Sequence, residues 1–326
     1  MPVRTSDVLA DLLNNLAVQE GTQPSAMNGV HLVRHSKPQA REPYVYEPSI
    51  IFVGQGRKIG YLGEDVYTYD ARNYLVLSVP LPLECEVIAA PKKPLLAVTL
   101  QVNPTALAEL LVEMDEGMPV SAEMPRAMYS APLTQELRAS VIRLLECLQS
   151  PLDGRVLGPS VVREIIYRVL CGERGGALRG LAARHSQFGQ ISRVLRRIHA
   201  EYPQAFDVET MAHEANMSLT TFHHKFKSVT SVSPLQYLKS IRLHKARLLM
   251  AHDGMNANTA ATKVGYESPS QFSREFKRFF GRSPLEEAER VKETLRLAVP
   301  RPSVTIRARW PSLRDDPGDG SLARRR

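Results

Sequence analysis

The chain has 326 residues, 43% of them apolar, and a formal net charge of +8. That length favours two domains over one, and the apolar share suffices for real cores. No run of 18 apolar residues occurs, so no membrane-spanning helix is expected. Three scattered cysteines, Cys85, Cys147 and Cys171, form neither a disulfide framework nor a zinc tetrathiolate, which sets aside a methyl-accepting repair chemistry and suits a reduced, cytoplasmic setting.

From the N-terminus, residues 5–20 read as an amphipathic helix with Val8, Leu9, Leu12, Leu13 and Leu16 at 3–4 spacing. Asp7 and Asp11 interrupt it, so it is not expected to be a signal peptide. From about 29 to 102 the runs VHLVRH, SIIFVGQG, KIGYLG, DVYTYD and NYLVLSVPL are short, β-branched and aromatic, punctuated by Gly, Pro, Asn and Asp. That texture predicts a β-sandwich or barrel. Helices follow from Pro104, over about 133–149 and over 160–171. The middle one carries Leu133, Leu137, Val141 and Leu144 on one stripe, which suits either a helix-pairing surface for a homodimer or packing on its own barrel. Cys147 and Cys171 fall on apolar stripes and are expected in the core. GERGGALRG at 172–180 reads as a linker.

His31 and His35 alternate onto one strand face, but no later strand supplies a third histidine, so no metal or other cofactor is expected. Cys85 follows VPLPLE at an expected strand edge. It is a candidate sensor for a small electrophile, set against an inert buried thiol.

The positive charge is unevenly placed. Residues 1–186 hold 18 Lys+Arg against 20 Asp+Glu, residues 187–298 hold 17 against 11, and residues 299–326 hold 7 against 3. A basic C-terminal half on a near-neutral partner points to a polyanion such as nucleic acid. The tail 299–326 is rich in Pro, Gly and Arg and is expected to be disordered.

Within the basic half, SLTTFHHKFKSVTSVSPLQY at 218–237 and SPSQFSREFKRFFGRSPLEE at 268–287 share one skeleton: Phe222 with Phe272, Phe226 with Phe276, Lys227 with Lys277, and the Ser-Pro-Leu endings. Asp207 caps a short helix, Asn216-Met217 breaks it, and Ser218 caps a second. In the second copy Val264-Gly265-Tyr266 makes the break, Ser268 caps, and Phe272, Phe276 and Phe279 turn inward. Two short helices joined by a tight turn, the second basic on its open face, form a helix-turn-helix; the units span 207–229 and 258–280. Each Ser-Pro starts another helix. The helix from Pro234 to about Ala251 is a rod able to hold two readers one DNA turn apart.

These pieces make residues 190–295 resemble the DNA-binding domain of AraC/XylS-family transcription regulators. The motifs are Ala212 with Met217-Ser218, Phe226-Lys227, RLHKARLLM, Val264-Gly265-Tyr266 and SQFSREFKRFFGRSP. Two departures stand out: Ser231 where the family usually has Gly, and Thr259-Ala260-Ala261 at the entry to the second unit. Residues about 20–180 resemble the AraC-type N-terminal domain through the stretches 49–82 and 89–104. The resemblance implies a cupin-like barrel with flanking helices over 1–180 for effector binding and dimerisation, and an all-α DNA-binding domain over 181–298. It implies base contacts at Thr220, His223 and His224 in the first unit and at Ser270, Gln271 and Arg274 in the second. Lys225, Lys227, Lys277 and Arg278 suit phosphates, which position without specifying. The expected function is a non-enzymatic, effector-controlled transcription regulator acting on double-stranded DNA with RNA polymerase as a partner. The alternative is a metal-dependent cupin enzyme fused to a DNA-binding module.

Overall fold

A computed structural model describes residues 7–114, 125–182 and 186–298. The tail expected over 299–326 lies outside them. Within these residues ten strands form one antiparallel sheet: β1 Gly21–Pro24, β2 Val30–His35, β3 Gln39–Tyr46, β4 Ser49–Gln55, β5 Arg57–Leu62, β6 Asp65–Asp70, β7 Asn73–Leu77, β8 Leu81–Ile88, β9 Leu95–Gln101 and β10 Met128–Pro132. Their order is β1-β2-β9-β4-β7-β6-β5-β8-β3, with β10 on β7. The terminal strands β1 and β3 do not pair with each other, so the sheet is a curled half-barrel.

Side chains alternate across a strand, and here each face has its own core. The concave face gathers Val33, Ile51, Val53, Tyr69, Cys85, Val87 and Ala97. The convex face carries Ile50, Phe52, Tyr74, Val76, Val98 and Leu100. Because both faces of β4 are covered, residues 49–54 are all buried, which is why this strand reads as an unbroken apolar run.

Among the described residues six helices accompany the sheet: α1 Val8–Leu16, α2 Pro104–Glu113, α3 Gln135–Cys147, α4 Pro151–Val156, α5 Gly158–Cys171 and α6 Gly176–Ala182. Asp7, Asn103, Thr134 and Ser150 cap the first four through their side-chain oxygens. α1 is shorter than the periodicity of 5–20 suggested, since Ala17 already leaves the helical conformation.

Three expectations are corrected. The α3 stripe does not present a dimer surface: Leu137, Val141 and Leu144 are buried in the chain's own convex core, with Leu133 packed against it. Residues 172–180 are not a free linker. They form a turn and α6, whose Ala177 and Leu178 are buried. Two of the glycines there serve close packing, since a Cβ on Gly175 would lie 2.1 Å from the Leu170 carbonyl oxygen and one on Gly180 3.0 Å from the Phe188 ring. Cys147 is only half-buried and Cys171 is exposed. The buried stripe of α5 runs through Ile165, Ile166, Val169 and Leu170, and the next residue turns about 100° away from it.

The C-terminal half is helical: α7 Gln187–Glu201, α8 Val208–Glu214, α9 Leu219–Thr230, α10 Pro234–His252, α11 Ala257–Lys263, α12 Pro269–Phe280 and α13 Pro284–Ala298. Its two helix-turn-helix units are packed differently. The α8–α9 unit, with α7 and the start of α10, shares one continuous apolar core with the concave face of the sheet. The α11–α12 unit has a separate core of Leu243, Met250, Ala260, Ala261, Val264, Phe272, Phe276 and Phe280. A polar contact also ties the sheet to α13 and α10: Glu42 of β3 accepts from Arg290 at 2.8 Å, and the buried Glu287 accepts from Arg290 and pairs with Arg247 at 3.3 Å. No helix among the described residues is long and apolar enough to cross a membrane.

Candidate nucleic-acid interface and half-barrel cavity

Local chemistry fixes each reader. Asp207 accepts from the backbone N–H of Glu209 and Thr210 at 3.0 Å, starting α8. Asn216 turns the chain with φ 51°, a conformation asparagine tolerates. Ser218 then accepts from the Thr221 N–H at 3.3 Å, starting α9. Phe222 and Phe226 anchor α9 inward, with Phe226 edge-on to Tyr237 at 5.6 Å. In the second unit Asn256 caps α11 and Ser268 caps α12. Gly265 makes the break at φ 89°, where a Cβ would lie 2.3 Å from the Pro203 carbonyl oxygen, so only glycine fits. The inward row of α12 steps in fours through Phe272, Phe276 and Phe280. Phe279, expected inside, is half-buried and stands edge-on to His244.

α9 and α12 end alike. Ser231 takes φ 62° and Gly281 φ 74°, both left-handed, and each donates its N–H back to the carbonyl of Lys227 or Lys277. The serine at 231 therefore holds a conformation that glycine adopts without strain. Between the units, the 19 residues of α10 span about 28 Å.

The six residues expected to meet bases, Thr220, His223, His224, Ser270, Gln271 and Arg274, are all exposed on α9 or α12. Gln271 Nε2 donates to Glu275 at 3.2 Å, leaving its second amide proton and its oxygen for a base. Sequence reading passed over Glu275. Burial alone would raise its pKa, but hydrogen bonds from Lys239, Gln271 and Tyr266 outweigh that and hold it below the ordinary carboxylate value. The α12 face that carries Gln271 thus holds an ionised carboxylate that positions its amide. Of the four cations, Lys227, Lys277 and Arg278 are exposed and Lys225 is half-buried. Lys227 lines a cleft of about 630 Å³ together with Glu64 of the β5–β6 turn and Asp65 at the start of β6.

A second site lies in the concave sheet, a cavity of about 250 Å³. Its walls include Val33, Ile51, Val53, Leu95 and Ala97, and its polar lining includes His31, Tyr46, Lys58 and Tyr69. Cys85 sits behind it on β8, paired with Glu42 of β3 and Gly60 of β5. It is therefore mid-sheet, not at the expected edge. Its thiol donates to Tyr46 Oη at 3.6 Å. Burial pushes the thiol pKa up, with Lys58 and Tyr46 pulling partly against it. His35 hydrogen-bonds Gln39 through Nδ1 at 3.1 Å. Burial and then Lys58 push it down to about 4. Among the described residues no group of three His, Cys, Asp or Glu is placed to hold a metal ion. Lys58 escaped the sequence reading, yet the signal was present: in KIGYLG it shares parity with the buried Gly60 and Leu62, so it points inward.

Comparison with known proteins bears on both sites. The sequence model of the AraC-type transcriptional regulator N-terminus matches residues 26–177, and a helix-turn-helix domain model matches residues 211–290. The HTH-type transcriptional regulator AlkR of Acinetobacter baylyi is 38% identical over 95 residues, 29% of this chain and 31% of AlkR. The HTH-type transcriptional activator RhaS of Escherichia fergusonii is 28% identical over 155 residues, 47% of this chain and 55% of RhaS. The chain thus spans about a third to about half of the length of these curated relatives. Among solved structures, apo ToxT from Vibrio cholerae covers 82% of this chain and 99% of its own, with a TM-score of 0.56 at 12% identity. That likeness is one of fold.

Proposed function

The chain belongs to the AraC-type transcriptional regulators, and on that premise we propose that it binds a specific double-stranded DNA site and that a small molecule held by residues 1–180 controls this binding. The observation that carries the DNA reading is the repeated α8–α9 and α11–α12 scaffold, with the same aromatic anchors inside and different polar residues outside. In this reading Thr220, His223 and His224 read one half-site, and Ser270, Gln271 and Arg274 the other. Lys225, Lys227, Lys277 and Arg278 hold phosphates. The effector reading is supported by the apolar cavity with a few convergent polar groups in the sheet. Cytoplasmic residence, RNA polymerase as a partner and a homodimer formed through the N-terminal half belong to the same proposal.

Genome-wide mapping of bound DNA, compared with the transcriptome of a deletion strain, tests the function. A shared motif upstream of genes whose transcripts change is expected; binding without such a motif overturns it. The proximity of Lys58 and Tyr46 to the Cys85 thiol supports a second reading, in which the signal is an electrophile captured by that thiol. Under it, Cys85→Ser abolishes the response and spares basal DNA binding. An unchanged response in that variant leaves reversible ligand binding as the account.

A further inference from the structure

The half-barrel cavity contains a cation that the protein does not balance. Lys58 keeps part of its surface accessible, but that surface faces the cavity, and its ammonium is enclosed by protein. It donates to the Tyr46 hydroxyl. The ionisable groups around it are His35 from β2, Tyr44 and Tyr46 from β3, Tyr69 from β6 and Cys85 from β8. Among the described residues no carboxylate lies within ion-pairing distance of it. Glu47, at the cavity mouth, is largely exposed and lies 3.9 Å from His199 of α7.

A second observation points to the same ligand. Tyr69 is fully buried and lines the cavity, and its hydroxyl approaches Tyr46 and Cys85 without completing a hydrogen bond to either. An enclosed ammonium without a counter-charge and a buried hydroxyl without a partner are both costly, and one occupant relieves both.

We infer that this cavity binds an organic anion, a small carboxylate with a compact apolar body, using the Lys58 ammonium as counter-ion and the Tyr69 hydroxyl as a donor. The inference rests on the effector reading above and narrows it. The volume equals about eight water molecules, which sets the size of the ligand. Val33, Ile51, Val53, Leu95 and Ala97 receive its apolar part. Burial pushes the Lys58 pKa down, and a bound carboxylate raises it again, so binding takes up a proton wherever free Lys58 is partly neutral. At the mouth, Glu47, His199 and Tyr237 connect the occupied cavity to α7 and α10.

The test is isothermal titration of the full chain with carboxylates of roughly three to eight carbons, linear and branched, each beside its amide and alcohol. At least one acid is expected to bind about tenfold or more tightly than its amide. Lys58→Met is expected to erase that preference, and Tyr69→Phe to weaken acid binding, with unchanged circular dichroism in both. Heats in buffers of different ionisation enthalpy are expected to reveal proton uptake. Acids that fail to bind, acids that bind Lys58→Met as well as wild type, or neutral compounds that bind equally tightly each overturn the inference. If neutral compounds bind and alter DNA affinity, only the anion assignment falls. If acids bind as expected and none alters DNA affinity, the anion site stands and the effector reading falls.

Discussion

The Tyr237 hydroxyl donates to the Pro80 carbonyl at 2.6 Å, so a single side chain of α10 is bonded to the loop between β7 and β8. Its donor is used there, so the His199 ring, 2.8 Å away, donates to it from Nε2. Tyr237→Phe leaves a buried carbonyl and a buried imidazole without partners. We expect a loss of about 1–3 kcal/mol in urea unfolding. We also expect the effector's influence on DNA affinity to shrink, because the variant loosens the tie between cavity and first reader. Full stability together with a full effector response contradicts this.

The residues proposed to read bases and those proposed to hold phosphates separate experimentally. Arg274→Ala is expected to weaken specific binding by about 1–3 kcal/mol and to relax preference at one base pair. Lys227→Ala is expected to weaken binding to all sequences and to reduce the salt slope by about one. Fluorescence anisotropy on matched and single-mismatch duplexes at several salt concentrations measures both. Equal, sequence-blind effects refute the division.

The strain at Ser231 gives a stabilising prediction. At φ 62° a serine pays for a left-handed backbone that Gly281 adopts freely in the matching place. Ser231→Gly is expected to raise stability by about 1 kcal/mol, read as a higher urea midpoint with an unchanged slope. An unchanged or lower midpoint means that the serine's packing against Gly63 matters more.

Acid sensitivity follows from His199. Burial, and then Lys245, lower its pKa to about 4 in the folded chain. In the unfolded chain it titrates near its ordinary value, so unfolded molecules take up the proton first as pH falls. Stability from this group is therefore whole above about pH 6.5 and is lost toward pH 4, by up to about 3 kcal/mol. His199→Gln, which keeps a donor for Tyr237, is expected to flatten stability measured between pH 7 and 5. A slope as steep as wild type assigns the effect to other groups.

The helix-turn-helix units were legible because their determinants are local: caps at Asp207, Ser218 and Ser268, a glycine at 265, aromatic residues four apart. Most strands were legible for the same reason, through alternation and turn residues. What the sequence could not show is which surface meets which. The α3 stripe looked equally suited to a partner or to its own sheet, and only the folded chain shows Val141 and Leu144 covered from within. GERGGALRG carried the composition of a linker, yet Gly175 and Gly180 sit where Leu170 and Phe188 come close. Cys85 and Lys58 lie 27 residues apart and meet only because β5 pairs with β8.

The unequal burial of the two readers also decides which parts of this regulator are interchangeable. Because the α8–α9 unit closes the concave face of the sheet, a graft that replaces everything after residue 186 removes part of the core on which the sheet depends. The α11–α12 unit keeps its own core, joined mainly through the second half of α10. A splice placed within α10 can therefore exchange the α11–α12 unit while the α8–α9 unit and the cavity remain inherited together.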